Sequence, residues 1–128
     1  SQSVPRAAPM ANVEKIGALP PAEPDAETLL RRHFATLGEP AFDDPGALKG
    51  RKADNVTAIL GDPDLVRRDA PAEMWQYAGD TCVLTLILYQ KGGTMTVDHV
   101  ETRDRAKGAP VAGPGCLKAL LAERLAAS

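Results

Sequence analysis

The chain has 128 residues, which fits one domain with one modest core and leaves no room for a second. Its 15 basic and 17 acidic side chains give a net charge of −2, and no stripe of Lys and Arg with interleaved aromatics is present, so we do not expect a nucleic-acid partner. No apolar run reaches the ~18 residues that a membrane-spanning helix needs.

The N-terminal segment is rich in proline and alanine. Five prolines lie between Ser1 and Pro24, and the apolar residues among them are scattered. Such a composition buries too little surface to offset the entropy lost on ordering. We therefore predict a flexible tether over residues 1–24, followed by a single α+β domain over residues 25–128. With no initiator Met and no signal-peptide pattern at Ser1, we also expect that an upstream part was removed.

Two short helices are predicted before residue 64. The first begins after Asp25, a suitable N-cap, and ends at Gly38. Its apolar face consists of Leu29, Leu30, Phe34 and Leu37. The segment from Glu39 to Lys49 predicts a loop or a single helical turn. The second helix runs from about Lys52 to Leu60, and its apolar residues Val56, Ile59 and Leu60 precede the stop signals Gly61 and Pro63.

From Asp64 onward the apolar period changes from 3.6 residues to two, which is typical of strands. Turn residues separate four candidate strands, which are Leu65 to Asp69, Glu73 to Ala78, Thr81 to Gln90 and Thr94 to Arg103. Short turns between consecutive strands predict an antiparallel meander. The third strand carries apolar residues on both faces, so both faces can be covered, and we predict that it is the central strand. The fold class is then α+β, with short helices packed on a three- to four-stranded antiparallel meander.

A third helix is predicted from Cys116 to Ala127, after a Gly/Pro/Ala-rich linker over residues 105–115. Cys82 and Cys116 either stay as two free thiols or form one disulfide, because they make no C-x-x-C motif and have no neighbouring His at metal spacing. We favour the disulfide, since both cysteines fall in predicted elements and an exported chain meets oxidants. It would join the C-terminal helix to the sheet.

No catalytic constellation is recognisable in the sequence. We interpret His33 and His99, the two histidines, as edge or partly buried side chains rather than metal ligands or bases. His99 and its neighbour Asp98 would indicate an enzyme only if a third polar side chain joined them in a cleft. No glycine-rich phosphate motif is present. We therefore predict no enzyme, no metal and no cofactor.

Two side-chain pairs are candidates for partner binding. Trp75 and Tyr77 lie two positions apart on one strand, so their rings share a face. They are either core residues beneath a helix or an exposed anchor pair, since Trp and Tyr are frequent in interface hot spots. Arg67 and Arg68 are either a solvated strand surface or part of a lipid or partner site.

The segment from Gly50 to Pro63, followed by Trp75-Gln76-Tyr77, resembles the SmpA/OmlA family. The residues that carry the resemblance are Gly50, Val56, Leu60, Gly61, Pro63, Trp75 and Tyr77. The family pattern is a Gly, a short helix with a Leu-Gly-x-Pro ending, then a W-x-Y strand and two further strands. The similar region covers residues 45–104, and the family fold is likewise helices on a three-stranded antiparallel meander.

The resemblance implies a location and a class of function. Members of the family are outer-membrane lipoproteins on the periplasmic side, which implies that Ser1 to Pro24 links the domain to a lipidated cysteine just upstream. They act without catalysis in envelope integrity and outer-membrane protein assembly, through partner proteins. We expect the same of this chain. The alternatives are a soluble periplasmic inhibitor or ligand-binding protein that uses the sheet face, and an enzyme with a polar cluster not visible in the sequence.

Overall fold

The computed structural model describes residues 25–127, so the tether predicted over residues 1–24 lies outside the described residues. In chain order the elements are α1 (Ala26–Leu37), a 3-10 helix (Pro45–Leu48), α2 (Ala53–Leu60), β1 (Leu65–Asp69), β2 (Ala72–Ala78), β3 (Cys82–Lys91), β4 (Thr94–Asp104) and α3 (Gly113–Ala127). The strands form one antiparallel sheet in the order β1-β2-β3-β4. The predicted α+β class and the meander are confirmed.

Helix α1 begins and ends where the local chemistry predicts. The Asp25 side chain accepts a hydrogen bond from the backbone N–H of Thr28 at 2.9 Å, which satisfies one of the free donors in the first turn. At the other end Gly38 adopts φ 70°, a left-handed conformation that Gly reaches without steric cost. Leu30 and Phe34 are the buried residues of this helix.

Helix α2 has a weak start and a well-defined end. Lys52 is the N-cap residue, and its side chain makes no capping hydrogen bond. The Asn55 side chain does not substitute, because it contacts Arg51 and Glu39 instead. At the C-terminus Gly61 has φ 80°, and its N–H donates to the carbonyl of Thr57.

Helix α3 starts three residues earlier than the sequence predicts. The first turn is Gly113-Pro114-Gly115, which was predicted to be linker, and Cys116 follows it. Pro is tolerated in a first turn because its missing N–H has no partner there in any case. The predicted disulfide is confirmed, with Cys82 in β3 bonded to Cys116 in α3 and Cα atoms 5.8 Å apart.

The core lies between the helices and one face of the sheet. It joins buried residues of α1, the 3-10 helix, α2 and α3 to those of β2, β3 and β4. Its completely buried side chains include Phe34, Leu48, Val56, Tyr77, Leu84, Leu86, Leu88 and Leu117. Strand β3 is interior to the sheet, as predicted, but within residues 25–127 the helices cover only one of its two faces.

Candidate functional site

One hydrogen bond joins the helix part of the family-like motif to its strand part. The hydroxyl of Tyr77 in β2 donates a hydrogen bond to the carbonyl oxygen of Gly61 at 2.8 Å. Tyr77 and Val56 are completely buried, and Leu60 is 2% exposed. Motif residues therefore connect the end of α2 to β2. This contact gives the Leu-Gly-x-Pro and W-x-Y patterns a structural role.

Gly50, the first residue of the motif, connects the helical layer to the sheet. Its N–H donates to the carbonyl of Val97 in β4, and the N–H of Val97 donates back to the carbonyl of Arg51. This pair of bonds covers part of the outer edge of β4. Gly50 therefore has a structural role as well.

The side chain of Arg124, in α3, packs against the ring of the motif residue Tyr77. The Arg124 guanidinium carbon lies 4.9 Å from the centre of the Tyr77 ring, and Nη2 lies 2.5 Å from Oδ2 of Asp64. Burial raises the pKa of the Tyr77 phenol well above its ordinary value, and Arg124 opposes this rise. The sequence analysis did not single out Arg124, because its partners lie about 60 residues away and no local pattern connects them.

Trp75 is a core residue and not an exposed anchor. Its side chain is 7% exposed, and its indole N–H donates to Oε1 of Glu73 at 2.9 Å. The core interpretation of the Trp75 and Tyr77 pair is thereby confirmed. Trp75 cannot serve as a surface contact in this fold, which corrects its inclusion among the candidate partner-binding residues.

Arg67 and Arg68 belong to opposite faces of the sheet. Arg68 pairs with Glu73 in the register, on the helix-covered side, and its Nε lies 3.6 Å from Oε2 of Glu73. Arg67 pairs with Met74 on the other side. The three candidate partner-binding residues, Arg67, Arg68 and Trp75, therefore do not share one face of the sheet. Of these three, only Arg67 lies on the face that the helices leave uncovered.

We call this uncovered surface the open face. Three cross-strand rows define it: Leu65, Gln76, Thr85 and Glu101; Arg67, Met74, Ile87 and His99; Asp69, Ala72, Tyr89 and Thr96. Val83 and Arg103 extend it at one end. Leu65 is 46% exposed and Tyr89 is 38% exposed, while Met74 and Ile87 are half-buried. The apolar residues on both sides of β3 would allow cover on both faces, but in the described part of the chain the helices cover one.

A shallow groove runs along the open face where β1, β2 and β3 adjoin. Its volume is about 490 Å³, and Arg67, Asp69, Met74, Ile87 and Tyr89 are among the residues that line it. Apolar side chains form its floor, and charged side chains stand at the β1 edge. A surface of this kind can bind a ligand by contact area and charge, without any chemistry of its own.

The polar residues considered for catalysis do not converge. Nε2 of His33 lies 2.6 Å from the carbonyl oxygen of Ile59. Asp98 accepts a hydrogen bond from Lys91 at 3.1 Å, and His99 lies 3.9 Å from an exposed carboxylate oxygen of Glu101. Among residues 25–127, no three His, Cys, Asp or Glu side chains are grouped so that they could hold a metal ion. Each side chain has a local structural partner instead.

The remaining findings concern membrane-spanning helices and similarity to known proteins. No helix in the described range is both long and apolar enough to cross a membrane. Comparison with protein families, with characterised proteins and with solved structures found no match to this chain. The resemblance to the SmpA/OmlA family stays a prediction that rests on the motif residues quoted above.

Proposed function

We propose that this chain is a non-catalytic module of the cell envelope that binds a partner protein, as an SmpA/OmlA-like lipoprotein on the periplasmic side of the outer membrane. The observation that carries the proposal is the hydrogen bond from Tyr77 to Gly61. It joins the two halves of the family-like motif, which lie 16 residues apart, into one buried contact. A chance similarity of two short patterns would give no reason for them to meet.

The disulfide supports the proposed location. Cys82 and Cys116 are bonded and are 4% and 5% exposed. Stable disulfides form in oxidising compartments, of which the bacterial periplasm is one, and are rare in reducing cytosol. A bond that joins the last helix to an interior strand is structural, because it fixes the packing of α3 on the sheet.

The open face supports binding rather than catalysis. It presents half-exposed apolar side chains with charged residues at its margins, an arrangement typical of interaction surfaces. Envelope scaffolds and assembly accessories act through contacts of this kind.

The same face favours a second candidate function. A soluble periplasmic inhibitor or ligand-binding protein would also use the open face, with the groove along β1, β2 and β3 as its contact surface. The two functions differ in the partner that they require, which is an outer-membrane assembly or integrity protein in one case and an enzyme or small molecule in the other.

The experiment that tests the proposal combines localisation with capture. The complete gene, with its upstream region, is expressed in its host with radiolabelled palmitate, and cross-linked envelope complexes are purified. We expect label on the protein, recovery in the outer-membrane fraction and an outer-membrane assembly or integrity protein in the complex. An unlabelled periplasmic protein bound to an enzyme would favour the second candidate, and a cytoplasmic protein would contradict both.

A further inference from the structure

One cross-strand row runs through the centre of the open face. It consists of Arg67 in β1, Met74 in β2, Ile87 in β3 and His99 in β4. Of the three large apolar side chains that are exposed within residues 25–127, two flank this row on the open face, namely Leu65 and Tyr89. The apolar centre is therefore continuous across β2 and β3 and reaches the surface on both sides of the row.

The charges at the β4 side of the open face are already paired. Lys91 lies 3.1 Å from Asp98, and Arg103 donates a hydrogen bond to Glu101. The Arg103 hydrogen bond lowers the pKa of the Glu101 carboxyl, which keeps that pair ionised. This side of the face is electrostatically satisfied and offers a partner little charge to recognise.

At the β1 side of the groove, Arg68 pairs with Glu73, whereas the two β1 charges on the open face itself are unpaired within the described part of the chain. Arg67 and Asp69 are both exposed, and neither side chain makes a hydrogen bond or ion pair with another residue in the range 25–127. They are two positions apart on one strand, so they point the same way and lie about 7 Å apart. A cation and an anion thus stand side by side along the groove, next to Met74 and Ile87.

This pattern favours a polypeptide over a polyanion. A membrane of anionic lipid or a nucleic acid is attracted by a cluster of like positive charges. The groove is instead lined by charges of both signs in equal number, namely Arg67, Arg68, Asp69 and Glu73. An extended polypeptide segment repeats its side chains every two residues with the same spacing of about 7 Å. It can therefore place a carboxylate against Arg67 and a cationic side chain against Asp69.

The size of the face argues against a second copy of this chain. Strands of 5, 7, 10 and 11 residues, rising about 3.3 Å per residue and spaced about 4.8 Å apart, give a flat area of roughly 500 Å². A stable interface of standard size buries about 800 Å² on each partner. Two open faces packed together would fall well short of this area, whereas an extended segment can also follow the groove around the β1 edge.

We propose that the groove on the open face binds an extended segment of a partner protein that presents an acidic and a basic residue two positions apart beside a large apolar side chain. This inference rests on the proposed function, and it specifies which surface acts and what it recognises. Arg67 and Asp69 select the segment by charge, and Met74, Ile87 and Tyr89 supply the apolar contact.

A charge exchange tests the proposal without changing the net charge. The oxidised full chain is screened against a displayed library of random dodecapeptides, and the enriched peptides are synthesised and titrated against three proteins. These are the wild type, the double variant Arg67→Asp/Asp69→Arg, and Arg32→Glu as an exposed charge-reversal control on α1, away from the open face. Circular dichroism and thermal unfolding establish that all three are folded.

We expect the enriched peptides to carry an acid and a base two positions apart beside a large apolar residue. The double variant should weaken their binding by at least about tenfold and should favour peptides in which the acid and the base are exchanged, while Arg32→Glu leaves affinity unchanged. An unchanged affinity in the double variant, or enrichment of no peptide, would overturn the proposal. Sedimentation with phosphatidylglycerol vesicles that survives the exchange would overturn it in favour of a membrane.

The proposed function and this inference can fail separately. If an envelope protein is captured in cells and the charge exchange leaves that capture intact, only the inference fails. If the protein is found outside the envelope, the proposed function fails whatever peptides the groove selects.

Discussion

The Tyr77 hydroxyl lies 2.8 Å from the carbonyl oxygen of Gly61, and this contact joins the C-terminal end of α2 to the C-terminal end of β2. Tyr77 is completely buried, and this bond gives its hydroxyl a hydrogen-bond partner. This hydrogen bond gives a physical reason for Gly61, at the end of α2, and Tyr77, two positions after Trp75, to occur in one motif.

Replacing Tyr77 by Phe should therefore destabilise the fold. The variant keeps the ring and removes the hydrogen bond to the exposed Gly61, a loss of about 0.5–1.5 kcal/mol in the free energy of unfolding. Urea denaturation measures it. Tyr89→Phe is the matched control, because Tyr89 is 38% exposed and its replacement should change stability by less than about 0.5 kcal/mol. Equal effects of the two substitutions would contradict the role of the Tyr77 bond.

The same residue predicts a pH dependence. Because burial raises the pKa of Tyr77 in the folded protein, the unfolded chain releases the phenolic proton near the ordinary value of 10.0 while the folded chain keeps it. The stabilisation is thus present below pH 10 and is lost as the pH rises above it, by up to about 1.4 kcal/mol per pH unit. The stability difference between wild type and Tyr77→Phe should shrink from pH 9 to pH 11. A constant difference would contradict this reasoning.

Gly113 should be far less replaceable than Gly115, although both lie in the first turn of α3. A Cβ at Gly113 would come within 2.7 Å of Cγ of the buried Pro45, whereas one at Gly115 would meet nothing within 4 Å. We expect Gly113→Ala to cost about 1–3 kcal/mol. Gly115→Ala should be neutral or stabilising by about 0.5 kcal/mol. Thermal unfolding of both variants checks this, and equal stabilities would argue against close packing of α3 on the 3-10 helix.

The disulfide should account for much of the stability. It joins residues 34 positions apart, and a loop of that length constrains the unfolded chain by roughly 4 kcal/mol on the chain-entropy model. The double variant Cys82→Ala/Cys116→Ala should unfold at a much lower denaturant concentration than the oxidised wild type. It should also be insensitive to dithiothreitol, which lowers the midpoint of the wild type. Coincident midpoints for the oxidised and reduced wild type would contradict this prediction.

The start of α2 offers a way to stabilise the protein. Lys52 occupies the N-cap with an extended backbone and no side-chain bond, which is the geometry that Ser uses to accept a bond from the first turn. Lys52→Ser should raise the free energy of unfolding by about 0.5–1 kcal/mol. Lys107→Ser, in an exposed turn, is the control and should have no measurable effect. A loss of stability in Lys52→Ser would show that the Lys52 side chain has a role that its contacts do not reveal.

The elements that the sequence predicted well have local causes. Asp25, Gly38 and Gly61 act on the backbone within a few residues of themselves, so the helix boundaries that they set could be located by pattern. The strands follow from period-two alternation and short turns in the same way. The start of α3 could not be found like this, because Gly113-Pro114-Gly115 resembles a linker and its helical turn is fixed by packing against Pro45 and by the disulfide.

The candidate site was only partly predictable. Alternation shows that neighbouring residues such as Arg67 and Arg68 point to opposite faces, but it does not show which face the helices cover. β3 carries apolar residues on both sides, so its sequence allows two covered faces where the described chain has one. Register across four strands brings Arg67, Met74 and Ile87 into one row, and that register depends on contacts between distant residues.

Site-specific photo-cross-linking in the cell tests the central claim most directly. A benzoylphenylalanine at position 89 replaces an aromatic ring on the open face, and one at position 35 replaces an exposed Ala of α1. We predict that position 89 cross-links to an envelope protein, that position 35 does not, and that the exchange Arg67→Asp/Asp69→Arg abolishes the product at position 89. Cross-linking at position 35 alone, or a product at position 89 that is unaffected by the exchange, would contradict partner binding through the open face.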